Sequence, residues 1–367
     1  MISAPAAHPR RSIYYWKCDR AAAFHGTVAR QTHAGLEEQL AAELRRHFGD
    51  DGVMVRPAGG QGNHLTFVAT LREGDAFVRV EDGPEQDDYL EVESRVLAEA
   101  SALGVPTPRV HAVDASRRRV PFAWQVMDLI EAPDLNVLGQ RGGLDLEGVA
   151  EEIGAMVARW QALRPGGFGP FDPAVLREEN RLAGFHRSYR EYFRLHLDRH
   201  LRFLEERRFL SRGDTDEIAA VIADHDALLE LSDGCLVHKD LALWNILGTE
   251  SGIAAFIDWD DAIGGDPMDD LSLLGCFHDG AVLTRALAGY RSVRALPRDC
   301  QRRFWLHLLR NMVVKAVIRV GAGYFERDEG FYLIGAGGSG QALREFTRAR
   351  IALALRGLRE DQSIDML

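Results

Sequence analysis

Lysine is almost absent from this chain of 367 residues. Only Lys17, Lys239 and Lys315 occur, and arginine supplies the other 41 of the 44 basic residues. Asp and Glu together number 55, so the formal net charge is −11. An acidic chain without a basic block is a poor nucleic-acid binder, because that affinity depends on neutralising phosphates. The composition therefore predicts no nucleic-acid partner.

Cysteines and long apolar runs are also scarce. The four cysteines, at positions 18, 235, 276 and 300, show no C-x-x-C spacing, which argues against a zinc ribbon or a redox motif. So few thiols in a long chain fit a reducing compartment. No apolar run approaches the length of a membrane span, and no apolar region of a secretory signal follows residues 1–11. We therefore expect a cytoplasmic protein without a membrane partner.

What the chain does contain is an ordinary globular composition, with 46% hydrophobic and 27% charged residues. Its length favours two domains or two lobes, and we expect a monomer or a weak dimer. The pattern divides into an N-terminal extension with a helix over residues 1–50, a strand-rich lobe over 51–130 and a mainly helical lobe over 131–367.

The first lobe has the pattern of five strands with one helix inserted after the third. The helix is predicted over 86–103, where apolar residues recur at helical spacing before Gly104. A helix is also predicted over 35–48, and residues 14–16 form an aromatic cluster expected to pack against the protein. The five strands are predicted over 53–58, 64–71, 75–80, 109–113 and 121–129.

The second lobe reads as helical with a small β island. Helices are predicted over 146–163 and 215–231, and a long, aromatic-rich helical insertion over 177–209. The island covers 235–237, 246–247 and 254–259.

The most informative segment is the polar loop that begins at His238 and carries Asp240 and Asn245 in an H-x-D-x-x-x-x-N pattern. Asp258 ends the next apolar strand within Ile257-Asp258-Trp259. Oxygen ligands from Asn245 and Asp258 suit Mg²⁺, which combines few protein ligands with phosphate oxygens and water. Asp240 is then free to accept a proton from a hydroxyl group, as in phosphoryl transfer by kinases.

Each of these residues is common in ordinary loops, and H-x-D alone occurs by chance. The full pattern is more specific, because it needs four polar residues in register between two apolar strands and after a five-stranded lobe.

In these motifs the chain resembles the aminoglycoside phosphotransferase and choline kinase family, the small-molecule branch of the protein-kinase-like fold. The family's loop usually reads H-G-D-x-x-x-x-N, and a later I-D-W or I-D-F precedes G-D-P-x-x-D-L. Here the last motif is Gly265–Leu271. The resemblance implies an α+β, bilobal fold. It also implies Asp240 as catalytic base, Asn245 and Asp258 as Mg²⁺ ligands, and His238 and Asp266 as structural supports, with Asp266 bracing the catalytic loop.

The resemblance also suggests nucleotide contacts in the first lobe. Gly60 and Gly62 lie where a kinase covers the phosphates, although an ordinary hairpin is equally compatible. Arg79 occupies the third strand, where kinases place a lysine, and a guanidinium is not equivalent to an ammonium group. Glu93 is the expected partner of Arg79, with Glu91 or a merely solvated helix face as alternatives.

The hinge between lobes is implied at Met127-Asp128-Leu129-Ile130. Met127 would flank the adenine pocket, and the Asp128 carbonyl and the Ile130 N–H would bond the base. Lys239 departs from the family's small residue; it could reach phosphate or substrate, but a side chain pointing to solvent is slightly favoured.

The acceptor is the least defined part. Asp260 and Asp261 would favour a cationic substrate slightly, while a neutral sugar or another hydroxylated metabolite stays open. The function expected is Mg²⁺-dependent transfer of the γ-phosphoryl group of ATP or GTP to a hydroxyl of a small molecule, such as an aminoglycoside, sugar or amino-alcohol. A non-catalytic nucleotide-binding protein is the alternative. A protein kinase is disfavoured, because no A-P-E segment follows Trp259.

Overall fold

The computed structural model describes residues 8–20, 35–59, 64–327 and 339–367. Its first lobe is a five-stranded antiparallel sheet in the order β1-β2-β3-β5-β4, which confirms the predicted α+β architecture. Helix α3 follows β3, as expected. The strands are β1 Met54–Pro57, β2 Leu65–Leu71, β3 Gly74–Glu81, β4 Val110–Asp114 and β5 Ala123–Asp128, and the helices up to this point are α1 Trp16–Asp19, α2 Leu36–Phe48 and α3 Leu90–Ala102.

One face of this sheet is covered by α2. Leu36, Leu40 and Leu44 recur four residues apart, so they lie on one side of the helix, and all three are buried in a core shared with the sheet. The apolar spacing seen in the sequence thus explains why the helix packs on the strands.

The second lobe is mainly helical, with one large core. No helix among the described residues is long and apolar enough to cross a membrane. Its helices are α4 Leu135–Gln140, α5 Leu146–Trp160, α6 Pro173–Glu179, α7 Tyr189–Phe193, α8 Leu197–Glu206, α9 Arg212–Asp224, α10 Asp269–Gly275, α11 Gly280–Val293, α12 Cys300–Gly321 and α13 Gly340–Glu360. Its strands are β6 Phe168–Phe171, β7 Gly184–His186, β8 Cys235–Val237, β9 Ile246–Thr249, β10 Gly252–Phe256 and β11 Ile263–Gly265.

The predicted long helical insertion over 177–209 is wrong. The region is split into the end of α6, strand β7 and the short helices α7 and α8. Asn180 ends α6 and His196 precedes α8, and both adopt left-handed backbone conformations with φ of 53° and 55°. A left-handed residue interrupts the helical hydrogen-bond ladder, and apolar periodicity does not reveal it.

Residues 8–20, here called the N-terminal segment, join the two lobes. The buried Arg10 guanidinium donates to Asp87 Oδ2 ahead of α3 and, at 2.8 Å, to the carbonyl of Asp260 in the second lobe. The ring of Tyr14 stacks on that of Tyr192, whose hydroxyl donates to the Tyr14 carbonyl at 2.7 Å. The aromatic cluster therefore packs against the protein body, as expected.

Helices α5 and α11 pack closely at two glycines, Gly154 on α5 and Gly289 on α11. A Cβ atom on Gly154 would lie 1.8 Å from the Ala286 carbonyl oxygen. Because that oxygen belongs to the backbone of α11, it cannot move aside as a flexible side chain could. We expect Gly154→Ala to lower the free energy of unfolding by about 1–3 kcal/mol, because the helices must separate. Gly213→Ala is the matched control: its Cβ has only Ser211 Oγ at 3.7 Å, and a change within about 0.5 kcal/mol is expected. Urea unfolding measures both; equal stability of the two variants would contradict this packing.

Candidate active site

The loop that follows β8 is held by its backbone. Asp270, in the first turn of α10, accepts the N–H groups of His238 at 3.0 Å and Lys239 at 3.1 Å, and Trp160 Nε1–H at 2.9 Å. Asp270 is fully buried, so these three donors replace the water that its carboxylate gives up. The loop is thereby fixed to the helical lobe.

This finding corrects the bracing role expected of Asp266. The Asp266 carboxylate accepts from Arg303 Nη1 and from the Met268 N–H at 2.9 Å, and its Oδ2 lies 3.4 Å from His307 Nε2. These contacts connect Asp266 to α12 rather than to the loop that carries Asp240. The physical reason is the position along the chain. Asp270 lies four residues after Asp266, in the first turn of α10, and there its carboxylate faces the backbone of the loop.

Lys239 is buried, so the expectation that it points to solvent is wrong. Its ammonium donates to Asp269 at 2.7 Å, to the Tyr14 hydroxyl at 3.1 Å and to Asn311 Oδ1 at 3.3 Å. Its φ is 69°, a left-handed conformation in which glycine is least strained. This backbone conformation explains why the H-G-D pattern usually has glycine at this position. Here the buried ion pair with Asp269 offsets the strain of a larger side chain.

We expect Lys239→Met to lower the free energy of unfolding by about 3–5 kcal/mol, because Asp269 is left as an uncompensated buried charge. The matched control is Arg285→Met, which breaks a half-exposed pair with Glu147 and should cost less than about 1 kcal/mol. Denaturant unfolding of both variants provides the comparison. A Lys239→Met protein as stable as Arg285→Met would show that the buried pair does not support the loop.

His238 connects the loop to the strand region that carries Asp258. Its Nε2 lies 3.0 Å from the Ile257 carbonyl, and its Nδ1 lies 3.3 Å from the Asp240 amide nitrogen. The two contacts fit a neutral ring that donates to the carbonyl and accepts from the amide. Burial lowers the pKa of His238, in spite of the Asp240 carboxylate, which agrees with the neutral form.

Asp240 lies at the centre of the site with both carboxylate oxygens in use. Asn245 Nδ2 donates to Asp240 Oδ2 at 3.0 Å and to the Asp240 carbonyl at 2.8 Å. Because both amide hydrogens are spent on Asp240, the Oδ1 of Asn245 is left for another partner. This bond fixes the plane of the carboxylate and directs Oδ1 of Asp240 to the opposite side.

On that opposite side Asp240 meets the N-terminal segment and α12. The Tyr15 hydroxyl donates to Asp240 Oδ1 at 2.6 Å, and Lys315 Nζ lies 3.2 Å from the same oxygen. Burial alone would raise the pKa of Asp240, but the charges of Lys315 and Lys17 and the Tyr15 hydrogen bond hold it well below its usual range. Asp240 is therefore ionised at neutral pH and able to accept a proton.

A buried chain of charges crosses from the first lobe to Asp258. Arg79 on β3 donates through Nη1 to Glu93 on α3, and its Nη2 lies 2.5 Å from His64 Nδ1 and 3.1 Å from Asp258 Oδ1. Glu93 Oε1 also accepts the Trp259 N–H at 3.0 Å. The structure therefore brings Arg79, Glu93 and Asp258 together, whereas the alternative Glu91 lies outside this chain and pairs with Arg177.

The residues around Asp258 suit a divalent cation. Asp258 has a left-handed φ of 64°, and its side chain is 41% exposed, so it faces the open side of the site. Burial of the site and the Asp260 carboxylate raise the pKa of Asp258 to about 7, against the effect of Arg79. Asp260 Oδ2 is buried without a hydrogen-bond partner among the described residues. Carboxylate oxygens of this kind, together with the Asn245 Oδ1 that is not used by Asp240, are a hard donor set that fits Mg²⁺.

Asp260 and Asp261, expected to meet a substrate, instead meet the N-terminal segment. Asp260 is 3% exposed and its carbonyl accepts from Arg10, while Asp261 Oδ1 accepts the Trp16 N–H at 3.2 Å. The Asp260 carbonyl and the Asp261 carboxylate are thus occupied by groups of the chain itself. The acidic cleft inferred from the sequence is thus covered in this conformation, and the preference for a cationic acceptor loses its basis.

The hinge residues predicted to contact the nucleotide base lie at the end of β5 and just after it. Met127 is buried on β5, and the Asp128 carboxylate accepts the Arg109 N–H at 3.0 Å. The Ile130 N–H has no backbone partner among the described residues. Gly60 and Gly62 lie outside the described residues.

Three important residues were missed by sequence reasoning: Tyr15, Lys315 and Asp270. For Lys315 and Tyr15, the rarity of lysine in the composition was a usable signal. All three lysines of this arginine-rich chain are associated with the loop that carries Asp240. Lys239 lies within the loop, and Lys315 contacts Asp240. The pKa of Lys17 is raised, against the effect of burial, by the Asp240, Asp258 and Asp261 carboxylates. The rarity of lysine marks these positions, and Tyr15 lies two residues from one of them.

The two lobes and the site define a protein-kinase-like phosphotransferase. The model of the phosphotransferase enzyme family matches residues 53–300, and the chain belongs to that family. It is accordingly an enzyme, a phosphotransferase.

Solved structures share the fold at low sequence identity. A thermostable mutant of aminoglycoside phosphotransferase APH(4)-Ia in the apo form has a TM-score of 0.61 and 16% identity, over 88% of this chain and 99% of that one. A mutant of the same protein in ternary complex with ADP and hygromycin B has a TM-score of 0.58 and 15% identity, over 88% and 98%. Macrolide 2′-phosphotransferase MphH from Brachybacterium faecium has a TM-score of 0.55 and 18% identity, over 89% and 99%. A search of curated proteins gave no significant match.

Proposed function

We propose that this enzyme transfers the γ-phosphoryl group of ATP or GTP to a hydroxyl of a small molecule, with Mg²⁺ as cofactor. The observation that carries the proposal is the Asp240 carboxylate, which is ionised, oriented by Asn245 through one oxygen, and in contact with a hydroxyl group through the other. A general base must lie within hydrogen-bond reach of the proton that it abstracts. The 2.6 Å contact with the Tyr15 hydroxyl supports the proposal, because it shows that Asp240 Oδ1 accepts from a hydroxyl group.

The proposed roles follow from the contacts. Asp240 accepts the proton of the acceptor hydroxyl while that oxygen attacks phosphorus. Arg79, held by Glu93, places a fixed positive charge beside Asp258, where the nucleotide phosphates would lie. Asn245 Oδ1 and Asp258 would hold Mg²⁺, which when bound neutralises charge on the phosphates. The Asp128 carbonyl and the Ile130 N–H would bond the base beside Met127, and Gly60 and Gly62 would cover the phosphates.

The acceptor classes proposed are aminoglycosides, sugars and amino-alcohols. Aminoglycoside and macrolide phosphotransferases have the same fold, and one of them is known in complex with ADP and hygromycin B, which supports both a nucleotide and a hydroxylated acceptor. Since Asp260 and Asp261 are engaged by the N-terminal segment, we give the cationic classes no priority over neutral sugars.

A mass-spectrometric screen tests this proposal. The purified protein is incubated with Mg²⁺ and either ATP or GTP against panels of the three acceptor classes. We expect one class to gain a phosphoryl group in a reaction that requires the metal ion. Binding of nucleotide and Mg²⁺ without a phosphorylated acceptor in any panel would contradict it.

A further inference from the structure

The Tyr15 hydroxyl stands where the acceptor hydroxyl of the proposed reaction would stand. Its oxygen lies 2.6 Å from Asp240 Oδ1, the carboxylate oxygen that Asn245 leaves free. Lys315 Nζ lies 3.3 Å from the same hydroxyl and 3.2 Å from Asp240 Oδ1, so a cation accompanies the pair. An external acceptor has to displace this hydroxyl before it reaches the base.

The backbone of Tyr15 is held in place by Asp19, which itself contacts the helical lobe. Asp19 Oδ2 accepts the N–H groups of Tyr14 and Tyr15, each at 3.2 Å, and Asp19 Oδ1 lies 2.7 Å from His200 Nε2 on α8. Asp19 and His200 are both buried. The Tyr15 hydroxyl is therefore held at the base by folded structure on the helical lobe.

We propose that Tyr15 is a phosphorylation site of this chain, filled by its own active site in an intramolecular reaction; the proposal rests on the proposed function above. The Tyr15 Oη–H bond breaks and its proton passes to Asp240. Oη forms a bond to the γ-phosphorus of the bound nucleotide, and the bond from that phosphorus to the β–γ bridging oxygen breaks. The products are phosphotyrosine and the nucleoside diphosphate, so no other reactant is required.

The surroundings of Tyr15 would accommodate the added charge. A phosphate on Tyr15 brings nearly two negative charges close to Lys315 and to Lys17, two residues along the segment. The same charge repels the Asp240 carboxylate, so the modified side chain is drawn away from the base. Phosphorylation thereby removes the hydroxyl that blocks the approach of an external acceptor.

Burial makes the reaction intramolecular. Tyr15 is 3% exposed, so a separate kinase cannot reach its hydroxyl in the folded protein, whereas Asp240 already touches it. The rate of labelling should therefore be first order and independent of protein concentration.

The test uses the full-length protein, Mg²⁺ and γ-³²P-labelled ATP or GTP with no small acceptor present. We expect label approaching one phosphate per chain, mapped to Tyr15 by peptide mass spectrometry. Tyr15→Phe and Asp240→Asn should each remove it. Tyr189→Phe, the matched control at a buried tyrosine whose hydroxyl has no hydrogen-bond partner among the described residues, should keep it, and circular dichroism checks that each variant is folded.

The outcomes separate this proposal from the proposed function, because the acceptor screen is run on the same protein preparation. Product on a small acceptor with no label on Tyr15 would overturn self-phosphorylation and leave the enzyme's function intact. Label on another residue, or labelling whose first-order constant rises with protein concentration, would also overturn it. Absence of both label and phosphorylated acceptor would overturn the two proposals together.

Discussion

Asp240→Asn lowers kcat for phosphoryl transfer by about 10³-fold, within the range that a general base contributes. Asparagine keeps the shape of the side chain and an oxygen for Tyr15 and Lys315, but its amide cannot take the acceptor proton. The KM for nucleotide should change little, because Asp240 contacts the Asn245 amide, Tyr15 and Lys315 and not the Arg79 chain. Steady-state kinetics with an acceptor identified by the screen measure this.

The control for Asp240→Asn is Asp226→Asn, which neutralises a half-buried carboxylate paired with Arg190 and Arg194 away from the site. Its kinetics should match those of the parent. Thermal unfolding of both variants shows whether the fold is kept. An Asp240→Asn or Asp240→Ala enzyme that turns over at the parent rate would remove Asp240 from catalysis.

Arg79→Ala should raise the KM for nucleotide about 100-fold. The guanidinium is the only basic side chain on β3, and losing two charge-assisted contacts with phosphate costs about 3 kcal/mol, or two powers of ten. The same change leaves Glu93 buried at 1% exposure without its counter-charge, so stability should fall by about 3–5 kcal/mol. Nucleotide titration and denaturant unfolding measure the two effects separately.

A double variant separates nucleotide binding from folding. Arg79→Met with Glu93→Gln removes both buried charges, so it should recover much of the stability lost in Arg79→Ala. It should not recover nucleotide use, because the β3 guanidinium proposed to face the phosphates is still missing. Unchanged nucleotide kinetics in a folded Arg79→Ala protein would place Arg79 outside the site.

Much of the fold could be predicted because local patterns of apolar and turn residues determine it. The five strands alternate with turn residues, and α2 repeats leucine every four residues, so periodicity alone located them. The polar positions Asp240, Asn245 and Asp258 were recognisable because their spacing around two short apolar strands is unusual. Arg79 and Glu93 were identified through the family resemblance, which implies a cation on the third strand and its partner on the following helix.

The parts that could not be predicted depend on contacts between distant residues. Tyr15 and Lys315 are 300 positions apart, and no local pattern indicates that both reach Asp240. The bracing role was assigned to Asp266 instead of Asp270, because spacing within one motif does not show which carboxylate faces the loop. Lys239 was expected in solvent, since its partners Asp269, Tyr14 and Asn311 come from three separate elements.

The most direct test of the central claim follows the transferred group itself. Nucleotide labelled with ¹⁸O in the γ-phosphoryl group is incubated with Mg²⁺ and the acceptor panels, using the parent enzyme and Asp240→Asn at equal concentration. The account predicts a labelled phosphate ester on a hydroxyl of the acceptor, with about 10³-fold less in the variant. A parent enzyme that binds nucleotide and Mg²⁺ yet labels no acceptor, or equal labelling by both proteins, would contradict it.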